Sequence, residues 1–215
     1  MADTKLSALT EATTLDDADE LYANDSSTSK RITVANVRKV IASGLETIWI
    51  PASAMTPSTT SGCAALATAE TTAGRPDLRT LDFDATSDEN AQFDVAMPKR
   101  WDEGTITYQV FWSTAATDTD GVAWGLKGVA VTDGDTADVV YGTAVVVTDD
   151  AQTAAEDVLV TAVSAALTIG GTPAEGDLCF FNIYRDVSDA NDDMTEDAKL
   201  LGVKLFFTTN AGTDA

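Results

Sequence analysis

The sequence predicts a mainly β protein: an antiparallel β-sandwich or jelly roll preceded by a small hairpin-plus-helix module. Three observations carry this. After residue 45 apolar and polar residues alternate in a series of short runs. The runs are separated by Asp, Gly, Thr and Asn clusters, which is turn chemistry. No stretch after residue 45 keeps the three-and-four apolar spacing of a helix longer than three turns. About eight to ten strands of this kind suit a sandwich or jelly roll.

Charge divides the chain near residue 45. The 215 residues hold 13 Lys+Arg against 35 Asp+Glu and no His, a formal net charge of −22. Residues 1–45 hold five basic and seven acidic side chains, a net of −2, and residues 46–215 hold eight and 28, a net of −20. We therefore read residues 1–45 and residues 46–215 as two parts in different electrostatic situations. Nucleic-acid binding is not expected, because phosphate neutralisation needs clustered cations. The absence of His removes Ser-His-Asp and Cys-His chemistry and every His-ligated metal site. Acidity does not imply disorder here, since 44% of residues are hydrophobic.

In the first segment Leu6, Leu9 and Leu15 are isolated apolar anchors in a Thr-rich extended stretch. Leu21-Tyr22-Ala23 and Arg31-Ile32-Thr33 flank the turn-forming run Asn24 to Ser29, which predicts a hairpin. Thr33 is placed to cap a helix from Val34 to about Ser43, with Gly44 just past its end. Val34, Val37, Val40 and Ile41 share one face, and Arg38 and Lys39 point elsewhere. Such a helix is too short to persist alone. The module is expected to dock on its own domain, on sister subunits or on a larger partner, with Leu6, Leu9, Leu15, Leu21, Lys30, Arg31, Ile32, Val34, Val37, Arg38 and Ile41 as the contact residues.

In the second segment residues 51–79, rich in Ser, Thr, Ala and Pro, predict an extended arm crossing the sandwich or a neighbour. Leu81 and Phe83, then Phe93, Val95 and Met97, mark inward rows of two strands. Ile106, Tyr108, Val110 and Trp112 form a third. Val122, Trp124 and Leu126 form a fourth, and the phase then moves to Val129 and Val131, so a bulge is expected at Gly128. Residues 141–147, 157–163 and 166–169 are further strand candidates. Residues 149–157 (DDAQTAAED) read as either a helical turn or a loop. Residues 178–184 are apolar on both faces and belong at the centre of a sheet. Leu201, Val203, Leu205 and Phe207 form the last inward row.

No signal peptide is expected at the N-terminus, which lacks a charged and then apolar start. No run approaches the roughly 20 apolar residues that span a bilayer, so membrane insertion is not expected. Cys63 and Cys179 have no CxxC spacing and are no disulfide framework. Whether they pair is open; two buried thiols is the simpler reading.

Asp186, Asp189, Asn191, Asp192 and Asp193 invite a calcium reading, as do Asp118 and Asp120 before Gly121. Neither loop has EF-hand spacing, and Asp and Asn favour hairpin loops on turn grounds alone. No metal or cofactor is expected. With 35 acidic residues, carboxylate pairs arise by chance, and none is marked as a glycosidase pair by an aromatic cleft. Trp112 and Trp124 fall on inward faces. Trp101 follows the turn-like Met97-Pro98-Lys99-Arg100, so Lys99, Arg100 and Trp101 are the candidate surface for glycan contact. Trp49 is expected at the junction of the two parts. Arg185 and Asp186 are expected to form a structural charge pair with partners across the sheet, one member partly exposed.

Two regions resemble phage virion proteins. Residues 5–41 are similar to the N-terminal module of phage tail-fibre, tail-spike and head-fibre proteins. The matching positions are Leu6, Ser7, Leu9, Glu11, Ala12, Thr13 and Leu15, then Asp19 and Leu21, then Ser29, Lys30, Arg31, Ile32 and Thr33. Asp25 and serines stand where that family often has Gly. Residues 105–207 resemble a jelly-roll-like domain of phage fibres and spikes at Trp112, Trp124, Gly176, Asp177, Arg185, Asp186, Asp192, Ala198, Leu200, Leu201, Gly202 and Val203. The resemblance implies a homotrimer bound to phage capsid or tail proteins, hence a virion location.

The expectation is therefore a non-enzymatic, trimeric virion protein: a capsid decoration, head spike or short fibre. It attaches by its N-terminal module and projects an acidic sandwich. The alternative is a tail-fibre module that recognises host surface glycan. A lytic enzyme is a third class, which hydrolysis of capsule or peptidoglycan would reveal.

Overall fold

The computed structural model describes residues 18–25 and 28–212. The expected module opens it. Strands β1 (Glu20–Asp25) and β2 (Thr28–Thr33) pair antiparallel as an isolated two-stranded sheet, followed by α1 (Val34–Ala42). Thr33 caps α1, with Asn36 N–H donating to Thr33 Oγ1 at 3.3 Å. Val34 N–H donates back to the Asp19 carbonyl, tying the helix start to the hairpin. Leu6, Leu9 and Leu15 lie outside the described residues.

The chain then enters β3 (Leu45–Pro51), a 3-10 turn (Ala52–Ala54), β4 (Thr56–Pro57) and β5 (Ala67–Glu70). These are followed by β6 (Asp77–Phe83), β7 (Asn90–Ala96), β8 (Thr107–Ser113), β9 (Gly121–Val131) and β10 (Val145–Asp150). The last are β11 (Leu159–Val160), β12 (Leu178–Arg185) and β13 (Ala198–Thr208). One sheet has the order β10-β9-β12-β7-β4. The other has the order β11-β8-β13-β6-β5, with β3 also paired to β13. Every named strand pair is antiparallel, and the two inner faces enclose one core. The fold is the expected β-sandwich.

The predicted inward rows meet in that core. Phe83 of one sheet packs edge-on against Trp124 of the other, with ring centroids 5.0 Å apart. Trp112 Nε1 donates across the sandwich to Asp149 Oδ2 at 2.8 Å, and Tyr108 Oη lies 2.6 Å from the Val145 carbonyl. Two large β8 side chains thus bury their rings and satisfy their polar ends on β10. The arm at residues 51–79 crosses the protein's own sandwich, contributing β4 to one sheet and β5 to the other and burying Ala52, Met55 and Cys63. As expected, β12 is central, between β9 and β7.

Several expectations change. No bulge occurs at Gly128: β9 keeps continuous register with β12, and Gly128 faces Phe181, whose ring a Cβ at 128 would approach to 2.7 Å. The glycine makes room for a cross-strand ring. Val129 is buried on the opposite face, where Ala137, Val139 and Tyr141 border it, and this second burial produced the apparent phase change. The irregularity falls instead in β13, between Leu200 and Gly202, so Leu200 replaces Leu201 in the inward row. The strand expected at 141–147 begins at Val145 and runs to Asp150, and residues 151–157 form a loop.

Residues 157–169 hold only the two-residue β11 and an isolated bridge between Leu167 and Ile106. Thr161, Ser164 and Leu167 are buried at intervals of three, and their N–H groups donate to the β8-side carbonyls of Val110, Tyr108 and Ile106. The Thr161 and Ser164 hydroxyls accept the N–H groups of Val110 and Tyr108, each at 3.0 Å. Side-chain oxygens stand in for backbone carbonyls, so a chain with period three seals the edge of β8 without a regular strand.

Arg185 ends β12 wholly buried and pairs with Asp192, not with its neighbour Asp186. Consecutive strand residues point to opposite faces, which excludes the 185–186 pair. Nη2 lies 2.8 Å from Asp192 Oδ1 and 2.6 Å from the Met194 carbonyl, and Nε lies 3.0 Å from Asp192 Oδ2. Nη1 reaches the carbonyls of Glu196 and Phe83. Neither member is exposed, contrary to expectation, because each is fully hydrogen-bonded. Arg185→Ala should cost about 3–5 kcal/mol by stranding Asp192. Urea unfolding checks this, and a loss under about 1 kcal/mol would contradict the role.

Candidate functional site

The outer face of the five-stranded sheet forms a trough. Strand alternation turns Phe180, Asn182 and Tyr184 of β12 outward, with Asn90, Gln92 and Asp94 of β7 beside them. The register pairs Asn182 with Gln92, Tyr184 with Asn90 and Phe180 with Asp94. On the other side of β12, Asn182 faces Lys127, and beyond β7, Gln92 faces Thr56. One row thus reads Lys127, Asn182, Gln92, Thr56 across four strands.

Two walls border this floor. Residues 56–61 form the first, clamped by Asn90. The Asn90 N–H and Nδ2 donate to the Ser61 carbonyl at 2.8 and 3.1 Å, and the Asn90 carbonyl accepts from the N–H groups of Ser58 and Cys63. The turn closes so tightly at Gly62 that a Cβ there would lie 2.1 Å from the Ser58 carbonyl oxygen. Ala137, Val139 and Tyr141 form the second wall. The cleft against the first wall has a volume of about 500 Å³ and is lined by residues 56–61, Asn90, Gln92 and Asn182. It continues past Gln92 and Phe180 to the second wall.

Two features stand out chemically. Asn182 is 4% exposed; its Nδ2 donates to Ser58 Oγ at 3.5 Å, and its buried Oδ1 accepts no hydrogen bond among the described residues. Beside it, the Lys127 ammonium sits 5.6 Å from the Tyr141 ring centroid and 5.5 Å from that of Tyr184. The Tyr184 ring lies over Gly125, where a Cβ would meet it at 2.2 Å. Burial raises the pKa of both phenols, and Asp186 and Asp88 raise that of Tyr184 further. Both hydroxyls therefore remain protonated donors at neutral pH.

The residues singled out from sequence are placed differently. Trp101 is 1% exposed, bridging to Thr209 at the sandwich end. Arg100 is half-buried and paired with Glu46, and Lys99 alone of the three is exposed. Lys99, Arg100 and Trp101 thus form no shared contact surface, because the turn folds the indole inward. Trp49, 49% exposed, lies edge-on to Phe111 at 5.0 Å on the outer face of the other sheet. Trp112 and Trp124 are core residues, as read.

The acidic loop spends its carboxylates on the chain itself. Asp186 Oδ1 accepts from Ser188, and Asp189 Oδ1 from the Asn191 backbone and side chain. Asp192 binds Arg185 and the Ala123 N–H, and Asp193 the Gly121 N–H. No three carboxylate, Cys or His side chains converge on a metal position among the described residues.

In the N-terminal module Val34 is buried and Ile32 and Val37 half-buried, while Leu21 is exposed and Val40 and Ile41 are largely so. Lys30 is exposed, Arg31 pairs with Glu20 at 2.8 Å, and Arg38 lies within α1.

No family model matches the chain, and no curated protein matches it. Among solved structures, it is similar to the non-crystalline cellulose specific carbohydrate-binding module CBM28, at 13% identity and TM-score 0.39, over 73% of this chain and 85% of that one. It is also similar to the family 11 carbohydrate-binding module from Clostridium thermocellum in complex with a β-1,3-1,4-mixed-linked tetrasaccharide (7%, TM-score 0.36, 80% and 91%). A third is TmCBM61 in complex with β-1,4-galactotriose (10%, TM-score 0.30, 77% and 88%).

Cys63 and Cys179 are both free and buried. Burial pushes their thiols up to about 12 and about 11, with the Glu89 charge adding to the first and Asp177 to the second. Native protein at pH 8 should leave a thiol reagent such as DTNB unreacted, and denaturant should release two equivalents; rapid native labelling would contradict this burial.

Burial and the neighbouring Asp118, Asp193 and Glu196 raise the pKa of Asp120, and burial with Asp84 and Asp82 raises that of Asp197. The folded state holds these protons more tightly than the unfolded chain, so their contribution to stability falls as pH rises. Asp84 is shifted down, by hydrogen bonds from Thr86 first, and its contribution is lost only at lower pH. The thermal midpoint in low salt should therefore fall as pH is raised out of the ordinary carboxylate range, near pH ~4, and Asp120→Asn should lessen that fall.

Proposed function

We propose that this protein is a non-enzymatic phage virion protein that attaches through its N-terminal segment, assembles as a homotrimer and projects its β-sandwich from the particle. The observation that carries this reading is the form of residues 20–42. They make a hairpin and helix with their own two-stranded sheet, ahead of a sandwich that closes its own core. Leu21, Val40 and Ile41 stand exposed on that unit, and Leu45 follows at the start of β3. Apolar side chains left outside in a small unit suit a surface that is covered on assembly. The sequence resemblance over residues 5–41 supplies the partners: sister chains and a phage capsid or tail protein. A net charge near −20 on the projecting part suits many copies on one shell, since like-charged domains resist aggregation.

A second reading, glycan recognition by the sandwich, is favoured by the amide-lined trough on the five-stranded sheet. The two are compatible: the module would place the particle's copies, and the sheet would meet the host surface.

Light scattering on the full chain should give a mass near three times 22.5 kDa. A stable monomer at micromolar concentration would sink the trimer. Removing residues 1–43 keeps Gly44, whose N–H donates to Thr209 Oγ1 and whose carbonyl accepts the Thr209 N–H. The product should stay folded and lose association with particles. Persistent decoration by the shortened chain would overturn the attachment role.

A further inference from the structure

We infer that the trough is a binding site for a short, uncharged oligosaccharide, recognised by Asn182, Gln92 and the hydroxyl-bearing wall at residues 56–61. This rests on the glycan-recognition reading and gives it a location and a ligand class.

The buried, unaccepted Oδ1 of Asn182 is the first argument. An unpaired buried acceptor costs about 1–3 kcal/mol, and native proteins seldom keep one without a use. Asn182 sits in the floor, directly opposite Gln92 across the strand pair and beside Ser58. A ligand hydroxyl entering beside Ser58 would donate to the amide and relieve that cost.

The second argument is the lining. Residues 56–61 with Asn90, Gln92 and Asn182 present hydroxyls and carboxamides, with one proline and no charged side chain. Such groups both donate and accept, which matches a polyol whose hydroxyls do the same. In a chain carrying 35 acidic residues, the cleft against residues 56–61 is free of charged side chains, with Asp94 and Lys127 bordering the floor beyond it. The surrounding negative field repels an anionic sugar within the Debye length of about 8–10 Å and leaves a neutral one unaffected.

The third argument is shape. The trough runs from β4 across β7 and β12 to β9, three strand spacings or about 14 Å. That length takes several linked sugar rings. Half-buried Phe180 and Tyr184 flank the amide row on either side and offer apolar ring surface to a sugar's C–H groups.

Isothermal titration of the full chain would use neutral tetrasaccharides of glucose, mannose, galactose and xylose, backed by an array of neutral glycans, with tetragalacturonic acid as the charged comparison. The expected result is saturable binding of a neutral sugar, one per chain, and none of the charged one. Gln92 is exposed, so Gln92→Ala should weaken binding about 2- to 10-fold while leaving the thermal midpoint unchanged. Tyr184→Ala should weaken it as well. Neutral-sugar binding that both variants leave unchanged would refute this site and spare glycan recognition by the protein. Preference for the charged sugar would refute the ligand class. No binding to any glycan on the array would overturn both the site and the reading beneath it.

Discussion

The buried Arg185–Asp192 pair is the constraint on which much of the sandwich depends. Arg185 belongs to the central strand of one sheet, yet its guanidinium reaches the carbonyl of Phe83 in the other. Through Asp192, Met194 and Glu196 it gathers the acidic loop that joins β12 to β13. Asp192 in turn accepts the Ala123 N–H, and Asp193 the Gly121 N–H, at the start of β9. Two desolvated charges are tolerated because the guanidinium donates in every direction available to it and the carboxylate accepts from two elements. An acidic loop that reads as solvent-facing is therefore one of the more strongly organised parts of the fold.

Polar groups also close the sheet margins. At β8 the Thr161 and Ser164 hydroxyls accept N–H groups that a neighbouring strand's carbonyls would otherwise take. At β7 Asn90 binds the turn that walls the trough. Both devices position an irregular segment against a regular one through side-chain oxygens and amides. They leave the edges covered without demanding β propensity from Ser- and Thr-rich stretches.

Charge and function are distributed in a complementary way. Carboxylates crowd the end of the sandwich where burial and the neighbouring Asp118, Asp193 and Glu196 raise the proton affinity of Asp120. The cleft against residues 56–61 is lined by none. An acidic body with a neutral, amide-rich cleft favours uncharged partners there, while the exposed apolar side chains of the N-terminal unit favour burial against protein.

Much of the sandwich was legible from alternation alone. Leu81, Phe83, Phe93, Tyr108, Val110, Trp112, Trp124 and Phe207 all face the core as read, because a half-buried strand must alternate. The hairpin, the Thr33 cap and the helix after it were legible for equally local reasons. The trough was not. Asn90, Gln92 and Asn182 are unremarkable in sequence, 90 residues separate the last two, and only the β7–β12 register sets them side by side. Trp101 misled because a turn-like stretch does not reveal which way its last side chain folds. Arg185 found Asp192 rather than Asp186 because strand geometry separates neighbours and a returning loop brings distant residues together. Sequence by itself determined the period, the turns and the charge; tertiary structure decided which polar groups meet, because those meetings depend on register between strands far apart in the chain.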